Sequence, residues 1–289
     1  PDLRFRRRRV DVAGRGIHRQ AMRTPVDLDH VGELVVAEQR RAFLQANLSG
    51  RMREVGVADY ASYYRQVTDG PRGAVEWSTL MDRLTVQETR FFRHPPSFAL
   101  LCAHMQERYE LRDEAHPWSL WSVGCASGEE TYSLAICAAE VLARNGGDAR
   151  YGVTGTDISL SALARSRDGI YSHRRLEQIE PELREQYFYS LPDNRYQVIP
   201  SLAARVCFAR LNVLELTGAP MSDMDVIFCQ NLLIYFRRWR RREILNRLAE
   251  RLAPGGLLVI GAGEVVGWQH PELVPVADSQ VLAFTRKSL

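Results

Sequence analysis

The fold of this chain is decided by one stretch, Val123-Gly124-Cys125-Ala126-Ser127-Gly128-Glu129-Glu130. An apolar segment at residues 118–123 leads into it, and a helical pattern at residues 129–142 follows it. A buried strand that meets a helix through glycines is typical of open α/β sheets, whose ligands bind at the carboxyl ends of the strands. Because glycine lets the backbone approach a ligand closely, Gly124 is a predicted cofactor contact.

The charges at this turn indicate which kind of cofactor binds. The spacing of Gly124 and Gly128 lacks the third glycine of a dinucleotide fingerprint, and two glutamates at the helix start would repel a pyrophosphate. S-adenosylmethionine instead carries a cationic sulfonium and an ammonium group, which a carboxylate such as Glu129 contacts favourably. Taken alone, Glu129 and Glu130 would equally well stabilise the helix N-terminus without any ligand.

A second strand, predicted at residues 151–156, ends in the stretch Thr154-Gly155-Thr156-Asp157-Ile158-Ser159. In Rossmann-like sites a carboxylate at the tip of the second strand accepts hydrogen bonds from both hydroxyls of an adenosine ribose. Asp157 is therefore the predicted ribose contact. A plain helix cap by the same side chain is the alternative.

A third strand, predicted at residues 226–229, leads into the stretch Cys229-Gln230-Asn231-Leu232-Leu233-Ile234-Tyr235-Phe236. At the strand end Asn231 can hydrogen-bond a ligand, and Tyr235 can place its ring or hydroxyl beside a transferred methyl group. Taken alone, the pattern favours a turn asparagine and a core aromatic residue.

A fourth stretch precedes the predicted sheet and reads Leu84-Thr85-Val86-Gln87-Glu88-Thr89-Arg90-Phe91-Phe92-Arg93. Its two phenylalanines are typical of a core, whereas Arg93 stands just ahead of Pro95 and Pro96 at an expected seam between domains. An arginine at such a seam is placed to bind a carboxylate through two parallel hydrogen bonds. Without the other motifs, this stretch would be an ordinary amphipathic segment.

The wider pattern predicts two domains. Apolar residues at helical spacing predict a small helical domain at residues 27–93. Strands and helices then alternate within residues 94–289, which indicates a parallel sheet covered by helices on both faces. An irregular stretch at residues 170–205, with a hairpin around Pro192-Asp193-Asn194, and a final strand at residues 279–286 break the alternation.

Composition excludes several classes of protein. Five cysteines without paired C-x-x-C spacing argue against a disulfide framework and a zinc site. No apolar run approaches the roughly 18 residues that a membrane span needs, so we expect a cytoplasmic protein without membrane insertion. The excess positive charge lies in a basic leader at residues 1–26, which we expect to be disordered rather than a nucleic-acid surface.

Taken in order, five motifs resemble those of the chemotaxis receptor glutamate methyltransferases, the CheR family: T-R-F-F-R, S-V-G-C-A-S-G-E-E-T-Y-S, G-T-D-I-S, R-D-G-I-Y and C-Q-N-L-L-I-Y-F. The resemblance covers residues 27–289. It implies a class I S-adenosylmethionine-dependent methyltransferase fold, which is a Rossmann-like, mostly parallel sheet with an antiparallel last strand. It also implies a small all-helical N-terminal domain and a small β-subdomain inserted at residues 170–205.

The resemblance implies the reaction and the residues that perform it. Members of the family transfer a methyl group from S-adenosylmethionine to glutamate side chains on the cytoplasmic helices of methyl-accepting chemotaxis receptors, with S-adenosylhomocysteine as the product. The implied catalytic residues are Arg93 and Tyr235, and Arg93 binds either the substrate glutamate or the cofactor carboxylate. The implied cofactor contacts are Gln87, Thr89, Arg93, Glu129, Asp157, Asn212, Val213, Gln230 and Asn231.

The chain departs from the family pattern at two of these positions. Gln87 stands where the family often has Asn, which keeps an amide group. Gln230 stands where the family usually has Arg, so the side chain at this position lacks the charge of the family residue.

The resemblance also implies how a receptor docks. Because the receptor helices of this family are acidic, the basic stretch with Arg40, Arg41, Arg51 and Arg53 is a candidate docking surface, and Arg51 and Arg53 are the predicted docking residues. A solvated helix face is the alternative. The hairpin at residues 191–196 is short and lacks glycine, unlike the loop of relatives that bind a receptor's C-terminal pentapeptide, so we expect a pentapeptide-independent enzyme.

The chemistry of a glutamate substrate agrees with the lack of a candidate general base in the sequence motifs. Its side chain has an unperturbed pKa of about 4.3, so it is already ionised at neutral pH and needs no general base. The enzyme has to align carboxylate, methyl group and sulfonium and to exclude water, and such positioning is worth about 7–11 kcal/mol.

Two other functions compete with this one. A methyltransferase of RNA or of a small molecule on the same fold would need a basic channel or a general base near Tyr235. A non-catalytic module that binds S-adenosylmethionine would be favoured by the loss of Arg93, Asp157 or Tyr235, and all three are present.

Overall fold

The structure is a computed structural model that describes residues 38–85, 88–111, 116–146 and 150–288. The predicted leader at residues 1–26 and the predicted contact Gln87 lie outside the described residues. The first described elements are three helices, α1 (Glu38–Glu54), α2 (Tyr60–Thr68) and α3 (Gly70–Leu84). They enclose a small core of their own, built on Met52, Tyr63, Val67 and Leu80.

The remainder of the chain alternates between strands and helices, as the sequence predicts. The strands are β1 (Trp118–Val123), β2 (Tyr151–Asp157), β3 (Ile170–Ser172), β4 (Phe188–Leu191), β5 (Arg195–Val198), β6 (Val206–Arg210), β7 (Met224–Cys229), β8 (Leu252–Ile260), β9 (Leu273–Pro275) and β10 (Leu282–Arg286). The helices are α4 (Pro95–Tyr109), α5 (Glu129–Arg144), α6 (Leu160–Asp168), α7 (His173–Leu176), α8 (Pro181–Tyr187), α9 (Pro200–Ala203) and α10 (Arg238–Ala249). Two short 3-10 turns lie at Val213–Gly218 and Leu233–Tyr235.

Seven strands form the main sheet in the order β6-β2-β1-β7-β8-β10-β9. The five strands from β6 to β8 are parallel, and β10 is antiparallel to both of its neighbours. The chain moves from β1 to β2 on one side and later returns to β7 on the other side. This reversal opens a crevice at the carboxyl ends of β1, β2 and β7, where open α/β sheets bind their ligands.

The central strands are apolar on both faces because helices cover both faces of the sheet. Leu120 and Phe228 pack with residues of α4 and α5 in one core. Trp121 and Ile227 point the other way and pack with Leu245 of α10 in a second core. Because β1 is buried between two layers of helices, the turn at its carboxyl end has a fixed position.

The stretch predicted as irregular contains a second, smaller sheet. Its three antiparallel strands lie in the order β3-β5-β4. The turn between β4 and β5 puts Asp193 and Asn194 in the left-handed region, with φ of 62° and 55°. This confirms the hairpin that the sequence predicts around Pro192-Asp193-Asn194.

Within the described parts of the chain, no helix combines the length and the apolar character that crossing a membrane requires.

Candidate active site

The turn after β1 lies directly against the end of β2. The backbone N–H groups of Gly124 and Cys125 donate to the carbonyl oxygen of Thr156 at 2.8 and 2.9 Å. Gly128 has a φ of +93°, and a Cβ there would lie 2.7 Å from the Cβ of Ser166. Glycine at position 128 is therefore required by both the backbone conformation and the packing.

Glu129 is buried at the start of α5, with a side chain that is 1% exposed. Its carboxylate accepts a hydrogen bond from Ser127 Oγ at 2.7 Å and one from Arg175 Nη1 at 2.8 Å. Burial raises the pKa of Glu129, and the Ser127 hydrogen bond and the Arg175 charge oppose this rise. The sequence did not single out Arg175, since it comes from α7 in the inserted subdomain.

Glu130 points to a different partner than Glu129 does, although the two are adjacent on α5. Its carboxylate accepts a hydrogen bond from Ser122 Oγ at 2.7 Å. Desolvation raises the pKa of Glu130 to about 7 and the nearby Glu264 charge adds to the rise, whereas the Ser122 hydrogen bond and the Arg93 charge lower this pKa. The positive charge of Arg93 therefore acts on the carboxylate of Glu130, although the two residues come from different segments.

Asp157 joins the first motif to the second. Its Oδ2 accepts from the Ala126 N–H at 2.9 Å, and its Oδ1 accepts from the Ser159 N–H at 2.8 Å. Burial raises the pKa of Asp157. The cap of α6 is Ser159, whose side chain accepts from the Ala162 N–H at 3.0 Å. Asp157 is thus not the helix cap of the alternative interpretation, and its carboxylate stands at the tip of β2.

The segment that carries Arg93 is clamped by its two phenylalanines. Phe91 is fully buried, with its ring edge-on to Tyr171 and Phe188 of the inserted subdomain at centroid distances of 4.9 and 5.4 Å. The Phe92 N–H donates to Ser133 Oγ on α5 at 3.0 Å. Arg93 is half-buried, and its Nη1 donates to the carbonyl oxygen of Glu88 at 2.8 Å.

Gln230 lies where β7 ends, and its side chain is directed to the start of α4. Its Nε2 donates to Ser97 Oγ at 2.8 Å, and the same hydroxyl bonds His94 Nδ1 at 2.8 Å. The amide nitrogen of Gln230 thus holds the turn that follows Arg93. This contact gives the uncharged side chain at position 230 a positioning role, and its contact with the cofactor stays a prediction.

Asn231 and Tyr235 belong to a loop that is hydrogen-bonded to a buried glutamate, Glu264. Asn231 has a φ of 59°, in the left-handed region that asparagine tolerates better than most residues. Glu264, which is 1% exposed, accepts from the Ile234 N–H at 3.3 Å and from the Gly261 N–H at 3.1 Å. Tyr235 is half-buried at the end of this loop. Glu264 comes shortly after the end of β8, so the rule that identified Asp157 applies to it too.

Three further predicted contacts have mainly local partners. Asn212 accepts from the Leu214 N–H at 3.1 Å and donates to Glu215 at 2.9 Å, which caps the following 3-10 turn. Val213 is buried beside it. The carbonyl oxygen of Thr89 accepts from Arg175 Nη1 at 2.6 Å, so its backbone lies at the Glu129 end of the crevice.

The charges at this edge of the sheet fit S-adenosylmethionine. Four carboxylates, those of Glu129, Glu130, Asp157 and Glu264, follow the ends of β1, β2 and β8, and burial raises the pKa of each. A cationic sulfonium and an ammonium group would offset this buried negative charge, and the ribose contact of Asp157 stays a prediction. A phosphate-bearing cofactor would add further negative charge.

Comparison with known proteins gives the family. The model of the "CheR methyltransferase, SAM binding domain" matches residues 87–282, and that of the "CheR methyltransferase, all-alpha domain" matches residues 33–85. The chain belongs to the CheR methyltransferase family. The predicted class I fold, S-adenosylmethionine as the cofactor and methyltransferase activity are thereby confirmed, as is the link to chemotaxis.

Individual relatives are similar over most of their length. The chemotaxis protein methyltransferase of Klebsiella aerogenes is 33% identical over 80% of this chain and 78% of its own length. That of Escherichia coli K12 is 32% identical over 80% and 79%. The chemotaxis protein methyltransferase Cher2 of Pseudomonas putida is 27% identical over 83% and 88%.

The predicted docking residues Arg51 and Arg53 are placed differently from each other. Arg51 donates from Nε and Nη2 to both carboxylate oxygens of Glu76 at 2.7 and 2.6 Å, and Tyr63 Oη donates to the same carboxylate at 2.7 Å. The Arg51 hydrogen bonds hold the pKa of the buried Glu76 below its usual range. Arg51 is therefore an internal partner of the helical domain, whereas Arg53 is exposed. The part of both residues in receptor docking stays a prediction.

Asp157→Ala is expected to weaken the binding of S-adenosylhomocysteine by at least about tenfold, because two ribose hydroxyls lose a charged acceptor. Isothermal titration calorimetry on the full chain measures this affinity. Asp168→Ala is a matched control, because Asp168 is exposed at the end of α6, and it should bind like the wild type. Unchanged affinity in a folded Asp157→Ala variant would remove this carboxylate from the site.

The affinity for S-adenosylmethionine is expected to rise between about pH 6 and pH 8, because a bound cation favours the ionised form of Glu130 and releases its proton. The pKa of Glu130 is raised to about 7, so the free protein holds this proton in the lower half of that range. Glu130→Gln should bind more weakly and lose this pH dependence. An equal pH dependence in the wild type and the variant would assign the proton to another group.

Proposed function

We propose that this protein transfers the methyl group of S-adenosylmethionine to glutamate carboxylates on the cytoplasmic helices of chemotaxis receptors, which gives glutamate methyl esters. The observation that carries the proposal is the charge environment of Arg93. Its guanidinium forms no ion pair with any residue that the structure describes, although it lies beside an edge of the sheet lined with acids. A carboxylate substrate brings the negative charge that such an arginine binds.

The residues of this chain act by positioning. S-adenosylmethionine supplies the electrophilic methyl group when it is bound. Arg93 orients the substrate carboxylate with two of its N–H donors, and Tyr235 borders the space in which the methyl group moves. Phe91 and Phe92 anchor the Arg93 segment, so that the guanidinium is held in place before the substrate arrives. An ionised carboxylate needs no proton acceptor, so no residue of this chain is assigned the role of general base.

Receptor docking involves the helical domain in this proposal, with Arg53 as the exposed contact. Arg53→Glu is expected to lower receptor methylation by roughly fivefold at low ionic strength and to leave the affinity for S-adenosylhomocysteine unchanged, because rim charges act on association. Arg72→Glu, an equally exposed reversal on α3, is the matched control. If both reversals have the same effect, the loss reflects net charge and docking lies elsewhere.

The experiment that tests the function uses the full chain and purified cytoplasmic fragments of a chemoreceptor. Mass-spectrometric mapping should find the added methyl groups on glutamate side chains, and the Asp157→Ala variant should add far fewer. Because the β4–β5 turn is only three residues long, we also propose that the enzyme does not need the receptor's C-terminal pentapeptide. Fragments with and without it should be methylated at the same rate. Methyl groups on other residue types would contradict the function.

A further inference from the structure

Arg175 connects three segments of the chain. From α7 in the inserted subdomain, its Nη1 reaches Glu129 Oε1 at 2.8 Å and the carbonyl oxygen of Thr89 at 2.6 Å. The Arg175 side chain is 44% exposed and that of Glu129 only 1%. The guanidinium therefore lies between a buried carboxylate and the solvent.

We propose that Arg175 and Glu129 together bind the amino-acid end of S-adenosylmethionine. Glu129 accepts hydrogen bonds from the ammonium group, and Arg175 donates to the carboxylate. This inference rests on the cofactor site proposed above, and it assigns to Arg175 the carboxylate contact that was left open for Arg93.

The charges favour this arrangement over either residue acting alone. In an amino acid the ammonium and carboxylate groups are attached to one carbon, so a site that holds the ammonium on Glu129 also brings the carboxylate close to the same glutamate. Two carboxylates at such a distance repel each other. A guanidinium next to Glu129 offsets this repulsion, and the four charges then alternate in sign without a net charge.

The hydrogen bonds of Arg175 leave donors for the ligand. Among the described residues, its Nη1 carries both protein contacts, and Nε and Nη2 contact no acceptor. These two nitrogens form one edge of the guanidinium, which binds a carboxylate through two parallel hydrogen bonds. Glu129 keeps its orientation through Ser127 at 2.7 Å while the ligand binds.

The test compares two ligands that differ in one group. S-adenosylhomocysteine has the ammonium and the carboxylate, and its decarboxylated analogue, S-adenosyl-3-thiopropylamine, has only the ammonium. Calorimetry on the full chain should show that the wild type prefers S-adenosylhomocysteine by at least about tenfold and that Arg175→Ala binds the two ligands almost equally. Arg175→Lys should keep part of the preference, since it keeps the charge without the fork.

Arg174→Ala is the matched control, because Arg174 is the exposed neighbour of Arg175 on α7, and it should keep the full preference. Three results would overturn the proposal. Tighter binding by Arg175→Ala would make this arginine a competitor of the ammonium, an equal loss for both ligands would make it a structural residue, and loss of the preference in Arg93→Ala alone would assign the carboxylate to Arg93. A wild type that binds neither ligand would instead contradict the cofactor site itself.

Discussion

Arg93→Lys is expected to lower the single-turnover rate of methyl transfer by at least about a hundredfold, or about 2.7 kcal/mol in activation free energy. Lysine keeps the positive charge but presents a single ammonium group, so it cannot hold both oxygens of a carboxylate in one plane. The substrate glutamate would then approach the methyl group over a wider range of angles. A rate measured with saturating cofactor on receptor fragments reports this loss directly.

Affinity for S-adenosylhomocysteine, measured in parallel, separates the two roles that the sequence left open for Arg93. If Arg93 binds the substrate glutamate, this affinity stays within about threefold of the wild type, which is less than the loss of one charged hydrogen bond. Arg90→Lys is the matched control, because Arg90 is exposed in the same segment. This variant should keep the wild-type rate of methyl transfer. A near-normal rate for Arg93→Lys would remove Arg93 from the reaction.

The Tyr235→Ala variant is also expected to lose about a hundredfold in single-turnover rate, the size of effect that follows from misplaced reacting groups. The Tyr235 ring is half-buried and packs beside residues of the second core. Its removal opens space beside the methyl path and admits water. Cofactor affinity should change little, because the loop keeps its backbone contacts with Glu264.

Tyr235→Phe distinguishes the ring from the hydroxyl. If the ring acts by its shape, the phenylalanine variant should keep a rate within about tenfold of the wild type. A loss as large as that of Tyr235→Ala would show that the hydroxyl takes part in the reaction. Near-normal rates for both variants would move the catalytic assignment away from Tyr235.

Central parts of the fold were predictable because burial on both faces leaves a strong pattern. β1 and β7 are mostly apolar in sequence and almost entirely buried, and the turns that follow them carry glycine and polar residues. β6 was missed because it is a mostly exposed edge strand that pairs only with β2 in the main sheet. The helix α10 ends at Ala249, because Leu252 begins β8 and pairs with Met224.

The glycines of β8 show why its start was hard to predict. Pro254-Gly255-Gly256 has the composition of a turn, and Gly255 has a φ of +73°. The pairing of β7 with β8 shifts register at this point, so the turn-like residues form an irregularity within a strand. Local sequence gives no indication that tertiary pairing continues through it.

Contacts between distant segments explain most of what the sequence could not predict in the site. Arg175 and Glu129 are separated by 46 positions, and Gln230 and Ser97 by 133. No local spacing relates such residues, and α7 lies in a stretch without a clear period. The same limit applies to Arg51, whose partner Glu76 stands 25 positions away on another helix. The sequence therefore predicted a docking surface on the basic segment of α1, although Arg51 pairs with Glu76 inside the helical domain.

The proposals above assign two tasks, binding the cofactor and orienting the substrate, to different residues. A sequence motif taken alone could not distinguish these tasks. In the proposals above, Glu129 with Arg175 binds the amino-acid end of the cofactor, and Arg93 binds the carboxylate of the substrate. This division leaves Arg93 available for a carboxylate substrate. It also predicts that variants of Arg175 act on cofactor affinity and variants of Arg93 act on the rate.

The most direct test of the central claim is the chemical stability of the transferred methyl group. The full chain is incubated with methyl-labelled S-adenosylmethionine and receptor-bearing membranes, and the labelled protein is then treated with mild alkali. Esters of glutamate hydrolyse under these conditions, so we expect the label to be released as methanol. The Arg93→Lys variant should incorporate little label. Label that stays on the receptor through alkali, as a methyl group on nitrogen would, contradicts carboxylate methylation by this protein.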